Sequence, residues 1–140
     1  MIVYVRPGTP ATLLRGALRG ARHIPGLVEL GRRMHAITRF KEFPFDGDRV
    51  ARALNAALTA GTGKYVCFVA EGRGGVVAGC LLAVVERHIF SELLTVSVMH
   101  YDVLPEYRMG GYGLRLMRAL EAWARNREVH EIAFGIKQRV

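Results

Sequence analysis

The sequence predicts a mixed α/β (α+β) domain in which helices flank a mixed sheet, and three observations carry that expectation. Two β-rich runs, Tyr65 to Glu71 and Val76 to Arg87, flank Gly72-Arg73-Gly74-Gly75 as strands flank a hairpin turn. Before them, apolar residues recur at helical spacing from Leu27 to Ile37 and from Val50 to Leu58. After them the same spacing returns from Leu114 to Ala124, ahead of a last β-rich run. The resulting order is strand, helix, helix, three antiparallel strands, helix, strand, which is a mixed α/β domain with helices covering a sheet.

Each element has its own signal. Ile2 to Val5 reads as a short strand stopped by Pro7-Gly8. Residues 9–22 fit no single pattern: Leu13, Leu14 and Leu18 suit a helix, which Gly16 and Gly20 weaken. Pro25 suits a first helical turn, and Leu27, Val28, Leu30, Met34 and Ile37 continue it. Phe40, Phe43, Pro44 and Phe45 break the pattern as an aromatic loop. Asp46 or Asp48 caps a second helix, Arg49 to Ala60, with Val50, Leu54 and Leu58 on one face. With Arg73-Gly74 as a two-residue hairpin loop, Cys67 stands opposite Cys80, and the two read as buried free thiols. A third strand covers Leu93 to Leu104 and stops at Pro105. A helix from about Gly111 to Arg127 and a strand from Glu131 to Ile136 follow. A helix between two strands is a crossover that favours parallel neighbours.

Composition bounds the function. The 140 residues are 51% hydrophobic and 23% charged, which suits one domain, 1–140, with an atypical segment at 1–22, and excludes disorder. The longest near-continuous apolar stretch, Val76 to Val85, is half what a bilayer-spanning helix needs, and the N-terminus has no signal-peptide pattern. Two cysteines make no disulfide scaffold, so a cytoplasmic setting is expected. The net charge is +8; 17 of the 20 basic residues are Arg, and residues 1–60 hold ten basic but only four acidic side chains. Such an excess suits a polyanionic partner. Nucleic acid is disfavoured, since no helix-turn-helix, zinc finger or aromatic-interleaved basic run is present. The histidines at 23, 35, 88, 100 and 130 are scattered, so no metal site is expected.

One segment carries chemistry. Val103-Leu104-Pro105-Glu106-Tyr107-Arg108-Met109-Gly110-Gly111-Tyr112-Gly113 lies between a strand and a helix. A glycine-rich turn into a helix leaves backbone N–H groups unpaired beside the positive end of the helix dipole. Glycines let a phosphate reach the backbone, and Arg108, Arg115 and Arg118 add charge nearby. Two other phosphate motifs fail. Gly61-Thr62-Gly63-Lys64 has Leu58 where a P-loop needs its first glycine, and a dinucleotide fingerprint from Gly111 meets Leu116 at its third glycine.

Arg108-Met109-Gly110-Gly111-Tyr112-Gly113, after a strand, resembles the coenzyme A signature of the GNAT acyltransferase superfamily, Arg/Gln-x-x-Gly-x-Gly/Ala. The order of elements from Pro25 to Ile136 is similar to the first two-thirds of that fold. Ile24 to His35, with Phe43-Pro44-Phe45-Asp46, is similar to small GNAT-like proteins encoded by bacteriophages. The resemblance implies that backbone amides of Arg108, Met109, Gly110, Gly111, Tyr112 and Gly113 bind the pyrophosphate of acetyl-CoA. It implies that Val103 and Leu104, with Asp102, pair with the pantetheine arm, and that this strand splays from the next to leave a slot for the thioester. An acceptor amine of unknown identity then attacks the thioester after losing a proton to a base. His100 and Asp102 share one face of their strand by alternation and are the candidate bases, ahead of Glu92 and Glu106.

Two departures from the family pattern shape further expectations. The family's first strand falls on Ala17 to Ala21 or on Ile2 to Val5. Members also continue with another helix and two strands, including a tyrosine that protonates the leaving thiolate, where this sequence ends at Val140. The expectation is a fold lacking that last third, with the 131–136 edge strand covered by a second copy or another protein. The leading function is an N-acyltransferase using acetyl-CoA. The alternative is a catalytically silent protein of the same fold with an assembly role, virion-associated if the phage resemblance holds.

Overall fold

Val66 to Ala70 are five consecutive buried residues, a run that a strand tolerates only when both faces of its sheet are covered. The structure, a computed structural model, describes residues 2–5, 12–14, 23–59 and 64–135. Strands β1 (Ile2–Val5) and β2 (Thr12–Leu14) come first, followed by helices α1 (Ile24–Ala36) and α2 (Gly47–Thr59). Strands β3 (Tyr65–Glu71), β4 (Val77–Arg87) and β5 (Leu94–Val103), helix α3 (Tyr112–Asn126) and strand β6 (Val129–Phe134) complete the order. The six strands form one sheet in the order β2-β1-β3-β4-β5-β6. β3, β4 and β5 are antiparallel, while β1 beside β3 and β6 beside β5 are parallel, as the crossover through α3 requires.

The helices cover both faces. α3 lays Leu116, Leu120, Trp123 and Ala124 over Phe68, Leu81 and Val96, with the Phe68 and Trp123 rings edge to face at 6.3 Å. On the other face Leu27 and Leu30 of α1 and Leu58 of α2 bury against Cys67, Val69, Cys80 and Leu82. α1 starts with proline in its first turn. Asp46 caps α2, its Oδ1 accepting the Arg49 N–H at 3.0 Å, so the helix begins two residues before the expected Arg49.

Several expectations change. The hairpin loop has three residues, not two: Gly72 N–H donates to Val76 O at 2.7 Å around Arg73-Gly74-Gly75. Gly74 and Gly75 both take positive φ (68° and 77°), which glycine adopts without the strain a Cβ brings. The register therefore moves by two, placing Cys67 opposite Leu82 and Cys80 opposite Val69. A shift of two keeps each side chain on its face, so both thiols stay buried, free and on the α1/α2 side. Thr12–Leu14, inside the ambiguous stretch, is a strand antiparallel to β1 rather than helix, because Leu13 and Leu14 pair with Val3 and Ile2. Ile2–Val5 forms a strand as expected, whereas Ala17 to Ala21 lies outside the described residues. β6 starts at Val129, two residues before the expected Glu131, because its pairing with β5 starts there, and it ends at Phe134; the expected end, Ile136, lies outside the described residues.

Candidate functional site

The end of β5 and the loop after it are fixed by close backbone contacts. A Cβ at Gly79 of β4 would stand 2.8 Å from the Asp102 carbonyl oxygen, so glycine is what lets the two strands approach here. Leu104, 1% exposed, anchors the turn, its N–H donating to Ala78 O at 2.8 Å. Pro105–Gly110 then forms a short 3-10 turn. Its Tyr107 packs over Gly72 and meets Tyr112 edge to face at 5.4 Å, and its Glu106 pairs with Arg33 of α1 at 2.6 Å. A hydrogen bond to its own backbone N–H, and then the Arg33 guanidinium, hold the Glu106 carboxyl below the usual glutamate range.

Gly111 precedes α3 with φ 73° and ψ 12°, and no side chain caps the helix. The first N–H groups of α3 have no intrahelical partner, and they lie at the positive end of the helix dipole. Tyr101 reaches across from β5 to donate its hydroxyl to Gly113 O at 2.5 Å, and burial raises its pKa. Two of the three arginines that the sequence singled out contact the backbone of this turn. Arg108 Nε donates to Val103 O at 3.2 Å, and Arg115 Nη2 donates to Gly110 O at 2.8 Å with its guanidinium stacked on Tyr112. Both brace the loop backbone.

β5 pairs with β4 along Leu94 to Val103 and with β6 along Leu94 to Val98, where β6 reaches its last residue, Phe134. Among the described residues no strand pairs with Met99 to Val103 on the β6 side. A bulge sets the side chains there. Leu82 opposes His100 and Ala83 opposes Val98, leaving Met99 as the extra residue. Val98 and Val103 pack on the α3 side, while Met99, His100 and Asp102 line a cavity on the α1/α2 side. That cavity, about 610 Å³, lies between α1, α2 and the sheet. Cys67 and Cys80 stand in its wall. A hydrogen bond donated to Cys67, burial and the nearby Cys67 and Asp102 charges push the Cys80 thiol well up. Among the described residues no three His, Cys, Asp or Glu side chains gather as a metal site.

The structure thus brings together the predicted residues: His100 and Asp102 on one face, Val103 and Leu104 at the strand end, and Arg108 to Gly113 at the helix start. Sequence reasoning missed the cavity's other walls, among them Met34, His35, Phe45 and Leu54, and the tyrosine contacts of Tyr101 and Tyr107. The aromatic loop was the one available signal, since Phe45 is held between the two helices and packs on His35 at 5.5 Å.

The sequence model of the acetyltransferase (GNAT) family matches residues 32–138, so the chain belongs to the GNAT family. A search of curated protein sequences finds no match. Solved structures share the fold. An aminoglycoside acetyltransferase from an uncultured soil metagenomic sample, in complex with sisomicin, aligns with a TM-score of 0.66 at 18% identity, covering 85% of this chain and 74% of its own. A Trypanosoma brucei acetyltransferase aligns at 0.64 and 17% identity, covering 84% and 79%. A Staphylococcus aureus GNAT family acetyltransferase aligns at 0.69 and 13% identity, covering 91% and 86%. Among the described residues no helix is long and apolar enough to cross a membrane.

Proposed function

We propose that this chain is an N-acetyltransferase that moves the acetyl group of acetyl-CoA to an amine. One juxtaposition carries the reading: the uncapped start of α3 is tied to the end of β5 through Tyr101 and Gly113, and Met99, His100 and Asp102 of that same strand end line the cavity on the α1/α2 face. The amides after Gly111 take the pyrophosphate, and the edge from Met99 to Val103 offers its backbone to the pantetheine amides. His100 or Asp102 removes a proton from the acceptor ammonium. The freed nitrogen attacks the thioester carbonyl, an N–C bond forms, the C–S bond breaks, and the coenzyme A thiolate leaves and is protonated.

Calorimetry with acetyl-CoA tests this. Binding is expected, lost in Gly111→Val because a β-branched residue does not adopt the left-handed backbone there. His100→Ala and Asp102→Ala keep binding and lose turnover. Absence of both heat and thermal stabilisation at millimolar acetyl-CoA overturns the reading. Binding without turnover on any amine favours a silent protein of the same fold.

We also infer that the outer edge of β6, the last strand of the described sheet, is covered by another chain through strand addition or symmetric pairing. Light scattering is expected to show a dimer or a complex. A monomer at high concentration with freely exchanging β6 amides overturns this.

A further inference from the structure

We propose that the acceptor is a primary amine on an apolar body, seated by its ammonium at Asp102, and not a polyamine or other polycation. The proposal rests on the acetyl-transfer reading, since it names the substrate class for the same cavity. At about 610 Å³ the cavity suits a small molecule. Its walls are apolar: Leu27, Leu30, Met34, Leu54 and Leu82 line it together with the Phe45 ring. Asp102 is the single carboxylate among the lining residues, half-buried and close enough to Cys80 to raise that thiol's pKa.

One ammonium therefore finds a counter-charge, and the carbon body finds apolar wall. A second or third ammonium finds none, and an unpaired charge in such surroundings is strongly unfavourable. Charges beside the cavity oppose polycations further. The Arg39 guanidinium lies 4.8 Å from the centroid of the Phe40 ring, and that of Arg32 on α1, which also pairs with Glu29 at 3.5 Å, lies 4.9 Å from the Phe45 ring. Part of the positive excess of residues 1–60 thus stands where it repels a polyamine and tolerates a monoamine.

The test compares phenethylamine with spermidine and tobramycin. With acetyl-CoA present, mass spectrometry of the products is expected to give kcat/KM at least about tenfold higher for phenethylamine. Without acetyl-CoA, ligand-observed NMR reads the cavity directly. Phenethylamine should bind more tightly than either polycation and lose binding in Leu54→Trp, which fills the cavity. Should Leu54→Trp fail to fold, Ala53→Phe on the exposed side of the lining replaces it. Asp102→Asn should weaken phenethylamine while leaving the neutral 2-phenylethanol unchanged. Equal or tighter binding of spermidine or tobramycin overturns the proposal, as does phenethylamine binding untouched by a folded cavity variant. Acetyl-CoA calorimetry separates the two levels. Donor binding with polycation preference sinks only the acceptor class, whereas amine selectivity without donor binding sinks the transfer reading.

Discussion

Gly113 and Tyr101 meet so closely that a side chain at 113 has no place. A Cβ there would lie 2.8 Å from the Tyr101 hydroxyl oxygen and 3.6 Å from the ring carbon that bears it. Gly113→Ala should therefore cost about 1–3 kcal/mol by overpacking, and Tyr101→Phe alone about 1 kcal/mol for the lost hydrogen bond to Gly113 O. Because removing the hydroxyl makes room for the methyl, the double variant should lose less than the sum, by at least about 0.5 kcal/mol in urea denaturation. Strictly additive losses would remove the clash as the cause. Cys80 offers a second residue-scale outcome. Its thiol is buried and its pKa raised by the Cys67 hydrogen bond and by burial, so iodoacetamide at pH 8 should leave Cys80 unmodified until the protein unfolds. Labelling of Cys80 in folded protein would contradict this. At this scale the glycines of the loop were legible in the sequence because conformational need selects glycine directly. Tyr101 was not, because its partner Gly113 is twelve positions away and only the strand-to-helix geometry joins them.

Glu106 ties the Pro105–Gly110 turn to α1 through Arg33, which couples the loop before α3 to one wall of the cavity. Its folded pKa is depressed, so the contact contributes above the unfolded glutamate pKa and is lost as pH falls through the folded value. Glu106→Gln should melt slightly below the parent at neutral pH, with the two curves converging in acid. A gap that widens toward low pH would reverse the sign and refute the contact. The end of β5 makes a larger prediction. Among the described residues, the amides between Met99 and Val103 on the β6 side have no ladder partner, so they should exchange quickly in the free protein and slow on adding acetyl-CoA, together with those of Tyr112 to Leu114. Protection confined to either segment alone would separate the edge from the helix start. Elements with strong periodicity, α1, α2, α3 and β3 to β5, were legible in the sequence, as was the parallel crossover to β6. The bulge at Met99 and the hairpin register were not, because both depend on which residue of one strand meets which residue of another. β2 was obscured because Thr12–Leu14 is only three residues long, too short to show alternation.

Across the whole molecule, one sheet carries two buried faces. β3 and β4 contribute buried side chains to both clusters, so the proposed donor loop and the cavity rest on the same two strands. Leu81, fully buried toward α3, should cost about 2–5 kcal/mol when changed to Ala, within a single unfolding transition seen equally by far-ultraviolet and tryptophan signals. The charge acts at the same scale. A net +8 on 140 residues repels itself, and added salt screens that repulsion, with a Debye length of about 10 Å at 0.1 M. The free protein should therefore melt at a higher temperature in 300 mM than in 30 mM KCl. Binding of acetyl-CoA should move the other way, weakening over the same range, because the attraction between an anionic ligand and this field is screened too. Since Arg108 and Arg115 already brace Val103 O and Gly110 O, much of the local attraction comes from helix-start amides that salt screens little at contact. The fall in affinity should consequently be shallow. A steep fall would assign the pyrophosphate to free arginine charge and away from the backbone after Gly111.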